Sequence, residues 1–156
     1  MAITAAELMT SQPVTVSPET GIGKVAELLV ERRISAVPVC RPDGSLAGII
    51  SELDVMKPFR DSIRRKRDRW LGLMAEGEAL SQEFLDYLRE DTKSAADLMM
   101  RQVVTAGPTT TLGEIAELMV AHGVKRIPII EEGRVVGIVS RSDLIRAIAA
   151  APAMLA

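Results

Sequence analysis

Hydrophobic positions along this chain follow two periodicities, one typical of amphipathic helices and one typical of buried strands. Two stretches have helical spacing and predict helices that turn an apolar face inward. The apolar face of the first comprises Ile22, Val25, Ala26, Leu29 and Val30. The face of the second comprises Leu112, Ile115, Ala116, Met119 and Val120. The two helices therefore share one pattern at two places in the chain.

Each of these helices is followed by two aliphatic runs that flank a turn sequence. The first pair is Ala36–Cys40 and Leu46–Ser51, and the second pair is residues 126–130 and 135–140. Aliphatic runs joined by a Gly-containing turn predict antiparallel strand pairs. A brief strand is also predicted at residues 14–16. Short helices begin at the capping-box sequences of residues 4–7 and 94–97, and a closing helix follows each strand pair.

The chain is an internal repeat. Pro38 pairs with Pro128 at a spacing of 90 positions, and after the turn the spacing falls to 89, which pairs Asp54 with Asp143. One residue has been lost in a turn, where a deletion is tolerated. The repeats cover residues 4–56 and 94–150. Between them lies an insert, residues 57–93, which we predict to be helical, basic in its first half and aromatic in its second.

Composition narrows the function classes. The 156 residues include 19 basic and 21 acidic side chains, which argues against a nucleic-acid binder. The single Cys40 excludes an internal disulfide and suits a reducing compartment. No apolar run approaches the ~20 residues that span a bilayer, so we expect a cytoplasmic protein. A lone His122 and the lack of a ligand cluster predict no metal site and no nucleophilic triad.

The candidate chemistry lies where each strand pair ends. Residues 48–54 and 137–143 both read Gly, two aliphatic residues, Ser, two further residues and Asp. A strand-to-helix turn with free backbone N–H groups can hold an anion, and a carboxylate beside it can bind a sugar diol. The alternative is that both Ser-x-x-Asp units are only helix caps, worth about 0.5–2 kcal/mol each without any ligand.

The order of elements, the hydrophobic-Pro-hydrophobic strand and the Gly-aliphatic-aliphatic-Ser-x-x-Asp ending resemble the CBS domain, and two copies resemble the Bateman module of that family. The resemblance implies an α/β fold of two β-α-β-β-α repeats packed with pseudo-twofold symmetry. It implies a non-enzymatic regulatory module that binds adenine nucleotides (AMP, ADP or ATP) between the repeats and forms a homodimer. No cofactor is required, and the regulated protein is unknown.

The resemblance also assigns roles to residues. Asp143 would bind the ribose hydroxyls, Ser140 the α-phosphate, and Lys125 with Arg126 further phosphate oxygens. The adenine slot would comprise Thr15, Ser35, Ala36, Val37 and Pro38. A mirror cleft would comprise Ser51, Asp54, Thr105 and Ile127. The mirror cleft is the poorer one, since Ser35 and Ala36 stand where the second repeat has Lys125 and Arg126.

Two other functions stay open at this point. In one, the clefts are empty and the module is structural, docking a partner protein through Trp70 and Phe84 of the insert. In the weaker one, the basic residues within 60–69 contact nucleic acid, which requires affinity that falls steeply with salt. That basic stretch is most often a solvated helix face.

Overall fold

A computed structural model describes residues 2–65 and 93–155 of the chain. The remainder of the predicted insert, including Trp70 and Phe84, lies outside the described residues. The elements of the first repeat are α1 (Ala5–Leu8), β1 (Thr10–Ser11), α2 (Ile22–Arg32), β2 (Ala36–Cys40), β3 (Leu46–Ser51) and α3 (Glu52–Arg65). The elements of the second are α4 (Ala95–Leu98), α5 (Leu112–His122), β4 (Arg126–Glu131), β5 (Arg134–Ser140) and α6 (Arg141–Ala150). A 3₁₀ turn, Pro152–Leu155, ends the described chain.

The helix boundaries follow from local chemistry. The capping boxes predicted for α1 and α4 are both present: Thr4 N donates to Glu7 Oε2 and Ser94 N to Asp97 Oδ2, each at 2.8 Å. Helix α5 ends at Gly123, whose φ of 63° is the left-handed conformation that glycine adopts without strain. Helix α3 continues beyond the predicted repeat boundary, with Pro58 inside it.

The predicted strand pairs are confirmed. Strands β2 and β3 are antiparallel with Val37 opposite Ile50, and β4 and β5 are antiparallel with Ile127 opposite Val139. The strand predicted at residues 14–16 is reduced to a single parallel bridge between Val16 and Val39. The two-residue strand β1 lies earlier in the chain, where its two residues pair with β5 of the other repeat.

The two repeats exchange their short opening helices. Ala95 and Met99 are buried in the first core, among residues such as Val25 and Ile50 of the first repeat. Ala5 is fully buried in the second core with residues 112–144 of the second repeat. Each core therefore contains residues from both copies, and neither sequence repeat supplies a complete core by itself.

Two strand glycines allow this exchange. A Cβ added at Gly48 would lie 2.6 Å from the Met100 carbonyl oxygen, closer than real Cβ contacts come. A Cβ at the equivalent Gly137 would collide with the side chain of Met9. The glycine that opens each Gly-aliphatic-aliphatic-Ser sequence is thus required for close approach of the other repeat's chain.

The inward faces predicted for α2 and α5 are correct except at their last positions. Ile22, Val25 and Leu29 are buried, but Val30 is 78% exposed. The equivalent Val120 is 85% exposed, so the prediction was wrong for both valines. Val30 lines the cleft between the repeats, whereas Val120 is exposed outside that cleft.

Candidate ligand-binding cleft

A cleft of about 1040 Å³ lies between the two repeats. Its volume is at the upper end of the range of about 300–1,000 Å³ that is common for small-molecule sites. The predicted residues that line it are Ser35, Ala36, Pro38, Lys125, Arg126, Ser140 and Asp143. Residues from both repeats thus meet around one cavity.

Backbone hydrogen bonds hold the walls of the cleft together. Arg141 N donates to the Lys125 carbonyl at 2.8 Å, which places the start of α6 beside the start of β4. Glu52 N donates to the Ser35 carbonyl at 3.0 Å in the equivalent place of the first repeat. Each repeat therefore presents the beginning of a strand and the beginning of a helix side by side.

Asp143 caps helix α6 and also lines the cleft. Its Oδ2 accepts from Ser140 N at 2.8 Å, and its Oδ1 accepts from Arg146 Nη2 at 2.5 Å. A carboxylate offers about four acceptor sites, so these two bonds leave capacity for two hydroxyl donors. The helix-cap interpretation is thus correct for Asp143, and it leaves room for ligand contact.

The expectation of free backbone N–H groups was wrong for three of the four residues from Ser140 to Asp143. The N–H of Ser140 donates to Asp143 Oδ2, that of Arg141 to the Lys125 carbonyl, and that of Asp143 to Ser140 Oγ at 3.2 Å. These three donors are already satisfied within the protein. An anion in the cleft must therefore be held chiefly by cationic side chains.

Arg126 crosses the cleft from the second repeat to the first. Its Nη2 donates to Ser35 Oγ, 91 positions earlier in the sequence. Burial lowers the pKa of the Arg126 guanidinium, the nearby Glu52 carboxylate opposes this effect, and Arg141 adds to it. An arginine stays protonated under ordinary conditions even so. The cleft therefore contains a fixed, partly desolvated positive charge between the repeats.

Positive charge dominates the whole lining. Its cationic side chains are Arg33, Lys125, Arg126, Arg141 and Arg146, and its carboxylates are Glu52 and Asp143. The excess cations make the cleft attractive to anionic ligands and unfavourable for cationic ones. This excess is local, because the whole chain has a formal charge of -2.

Two residues predicted for the adenine slot do not line the cleft. Thr15 is exposed outside it, and Val37 is fully buried in the first core. The reason for Val37 is the strand pleat, which points successive side chains to opposite faces. Ala36 and Pro38 reach the cleft while Val37 between them faces the core. The side chains of consecutive strand residues therefore cannot all face the same wall of a site.

The residues of the predicted mirror cleft do not line this cavity. Asp54 is only 4% exposed, and it accepts from Ser51 N and from Lys57 Nζ, each at 2.9 Å. Ile127 is fully buried in the second core, which removes its side chain from any ligand. Thr105 is exposed. Of the predicted residues of the mirror cleft, Asp54 and Ile127 are therefore buried, and Asp54 is already bonded within the protein.

Sequence reasoning missed several lining residues, among them the cations Arg33, Arg141 and Arg146. Lys57 and Arg146 stand 89 positions apart, three residues after Asp54 and Asp143. Both cations pair with the preceding carboxylate, at 2.9 and 2.5 Å. The repeated Ser-x-x-Asp-x-x-cation spacing was available in the sequence and would have predicted this ion pair.

Neither a metal-binding cluster nor a membrane-spanning helix is present among the described residues. Among residues 2–65 and 93–155, no group of three or more His, Cys, Asp or Glu side chains is placed to hold a metal ion. In the same part of the chain, no helix has the length and apolar character needed to cross a membrane. The basic stretch from residue 66 onward lies outside the described residues.

Comparison with known proteins gives a family. The model of the CBS domain matches residues 5–61 and 95–150. An uncharacterised protein of Methanocaldococcus jannaschii is 33% identical over 148 residues, which cover 88% of this chain and 86% of that protein.

Two solved structures of similar fold contain adenosine compounds. The structure of CBSX2 in complex with AMP is 22% identical, covers 95% of this chain and 97% of that chain, and has a TM-score of 0.71. CBSX2 is a chloroplastic protein of Arabidopsis thaliana, and this chain covers 57% of its full length. The CBS domain pair of protein MJ0100, in complex with 5′-methylthioadenosine and S-adenosyl-L-methionine, is 21% identical with a TM-score of 0.71 over 96% of this chain and 98% of that chain. The two matched segments and the fold they share show that this chain belongs to the CBS-domain family, as a tandem pair of CBS domains.

Proposed function

We propose that the chain is a non-enzymatic regulatory module that binds an adenine nucleotide in the cleft between its two CBS repeats. The observation that carries the proposal is that Asp143 and Arg126 line the same cavity. Asp143 can accept hydrogen bonds from a ribose diol, and Arg126 can donate hydrogen bonds to a phosphate. The ligands of CBSX2 and of the MJ0100 pair both contain adenosine, which supports the same class of ligand here.

The nucleoside part of the ligand lies between aliphatic walls. Val14, Ala36 and Ile138 line the cleft and supply apolar surface from both repeats. The chain has only 3% aromatic residues, so a base is gripped by aliphatic side chains and not by ring stacking. Asp143 accepts hydrogen bonds from the two ribose hydroxyls with the acceptor sites that its cap and ion pair leave open.

The phosphate is bound by guanidinium groups. Arg126 is partly buried and points across the cleft to Ser35, so a phosphate oxygen can replace the Ser35 hydroxyl as its acceptor. Charge-assisted hydrogen bonds of this kind are roughly twice as strong as neutral ones. Binding thereby exchanges a contact between the repeats for a contact with ligand, which links occupancy to the arrangement of the repeats.

The module acts as a homodimer. Three large apolar side chains that do not line the cleft are exposed on helices of both repeats: Leu53 at 66%, Val120 at 85% and Ile145 at 59%. A partner subunit that covered these side chains would remove apolar area from water, which stabilises association. Light scattering after size exclusion tests this part, and a monomer at micromolar concentration contradicts it.

Calorimetry tests the ligand class. AMP, ADP and ATP are titrated into the wild-type protein after denaturation and refolding to remove any bound molecule. Saturable binding with one site per cleft is expected for at least one nucleotide, with GTP as the base control. Lack of binding by all adenosine compounds refutes the proposal and favours the structural module, whose partner is then sought through the insert.

A further inference from the structure

Three of the five cations in the cleft have no partner in the described part of the chain. Arg126 donates to Ser35, and Arg146 is paired with Asp143. Within residues 2–65 and 93–155, the side chains of Arg33, Lys125 and Arg141 make no hydrogen bond or ion pair. All three are exposed, so they are free to meet a ligand at the open side of the cleft.

We infer that the cleft selects nucleotides with two or more phosphate groups over the monophosphate, and rejects S-adenosylmethionine. The inference rests on the proposed function and names the ligand class of that same site. One phosphate is sufficient to engage Arg126 next to Ser35. The three unpartnered cations supply positive charge that a monophosphate leaves largely unbalanced.

The positive charge comes mainly from one repeat. Lys125, Arg126 and Arg141 of the second repeat correspond, at spacings of 90, 90 and 89, to Ser35, Ala36 and Glu52 of the first. Both sets line the cleft. The charged set is held compactly, because Arg141 N is bonded to the Lys125 carbonyl and Arg141 is close enough to Arg126 to affect its pKa.

This compact group suits a chain of phosphates. A phosphate group presents several strong acceptor oxygens, and arginine binds them in a planar, two-pronged geometry. Three backbone N–H groups at the start of α6, those of Ser140, Arg141 and Asp143, are already bonded within the protein and are not available to a phosphate. Affinity for the second and third phosphate therefore depends on side-chain charge.

The same charges exclude a cationic ligand. S-adenosylmethionine carries a positive sulfonium at the 5′ position, and the opposite charges of its ammonium and carboxylate cancel. Its net positive charge would thus lie near Lys125, Arg126 and Arg141. Only Glu52 and Asp143 oppose this repulsion in the lining, and Asp143 is already paired with Arg146. Like charges brought together in a partly desolvated site are strongly unfavourable.

Calorimetry with a matched pair of variants tests the inference. Arg33 lines the cleft, whereas its neighbour Arg32 is exposed and outside it. We expect wild type to bind ADP or ATP about tenfold or more tightly than AMP, a ratio equivalent to 1.4 kcal/mol or more. Arg33→Gln and Arg141→Gln reduce that ratio several-fold, and Arg32→Gln leaves it unchanged.

The outcomes separate this inference from the proposed function. AMP bound as tightly as ADP, or S-adenosylmethionine bound as tightly as either, overturns the selection for several phosphates while the nucleotide site stands. A ratio that Arg32→Gln lowers as much as Arg33→Gln also overturns it. Absence of binding by every adenosine compound removes the site itself. An ADP affinity that falls more steeply with salt than the AMP affinity supports the selection for several phosphates.

Discussion

The guanidinium of Arg126 donates a hydrogen bond to the hydroxyl of Ser35, so a side chain of the second repeat is fastened to the first across the cleft. If a ligand phosphate takes the place of Ser35, the two acceptors compete for one donor. Ser35→Ala then raises nucleotide affinity several-fold and lowers the stability of the free protein by about 1 kcal/mol. Calorimetry and thermal unfolding measure both effects.

Arg126→Gln is the counterpart of this variant. It removes the donor itself, so nucleotide affinity falls about tenfold or more, the size of effect expected for a charge-assisted bond of about 1.5–3 kcal/mol. If Ser35→Ala raises nucleotide affinity and Arg126→Gln lowers it, then Ser35 and the phosphate compete for Arg126. A merely structural contact would not give changes of opposite sign. Equal losses of affinity in both contradict the competition.

Asp143 combines a cap with a ligand contact, and the two roles can be separated. Asp97 makes the same cap in α4, with its Oδ2 2.8 Å from Ser94 N, but does not line the cleft. Asp143→Asn and Asp97→Asn both weaken a capping box and lower the melting temperature. Only Asp143→Asn is expected to weaken nucleotide binding, about tenfold. Similar binding by both variants means that Asp143 is a cap alone.

The contribution of Asp97 to stability is expected to decrease in acid. Hydrogen bonds from the Ser94 backbone and then the Ser94 side chain lower the pKa of the Asp97 carboxyl below its usual value. Its stabilising effect is therefore present above the unfolded-state pKa and is lost as pH falls through the lower folded-state pKa. A carboxyl carbon resonance that titrates at or above pH 3.8 contradicts this.

Because the opening helices are exchanged, a mutation in the opening helix of the first repeat is expected to destabilise the core of the second. Ala5 is fully buried in the second core, and its neighbour Ala6 is exposed. Ala5→Leu overpacks that core and lowers the free energy of unfolding by about 1–3 kcal/mol. Ala6→Leu changes it by less than about 0.5 kcal/mol.

Methyl resonances identify the affected core. Ala5→Leu is expected to shift the signals of Ile115 and Val139, and to leave those of Val25 and Ile50 near their wild-type positions. Shifts confined to the first core contradict the exchange. Because each core contains residues of both repeats, both sets of signals are expected to disappear in one unfolding transition.

Glycine substitutions test the close approach of the repeats. Gly48→Ala places a Cβ 2.6 Å from the Met100 carbonyl oxygen and is expected to destabilise the protein by about 1–3 kcal/mol. Gly113 lies in α5 with nothing within 4 Å of an added Cβ. Gly113→Ala therefore stabilises the protein by up to about 1 kcal/mol, as alanine does in helices. Chemical denaturation measures both, and a neutral Gly48→Ala contradicts the contact.

The sequence was most informative where local chemistry decides the structure. The strand pairs, the capping boxes and the Gly123 helix end follow from spacing and residue type, and all are present. Val30 and Val120 were assigned to the wrong surface, because an apolar residue at the edge of a helical stripe can face solvent as well as the core. Their exposure depends on packing that periodicity does not describe.

The cleft was predicted less completely for three physical reasons. Strand alternation sends Val37 into the core, while Ala36 and Pro38 reach the cleft. The hydrogen bond from Arg126 to Ser35 joins residues 91 positions apart, and no local sequence pattern predicts it. Exchange of the opening helices has no local signature either. The pair of Asp143 and Arg146, by contrast, follows from an i, i+3 spacing that both repeats share.

The most direct test of the account is a crystal structure of the protein with ADP. We expect the ribose hydroxyls to donate to Asp143, the base to lie between Ala36 and Ile138, and Arg126 to leave Ser35 for a phosphate oxygen. A nucleotide bound elsewhere, or one in this cleft with its phosphates turned away from Arg126 and its ribose away from Asp143, contradicts it.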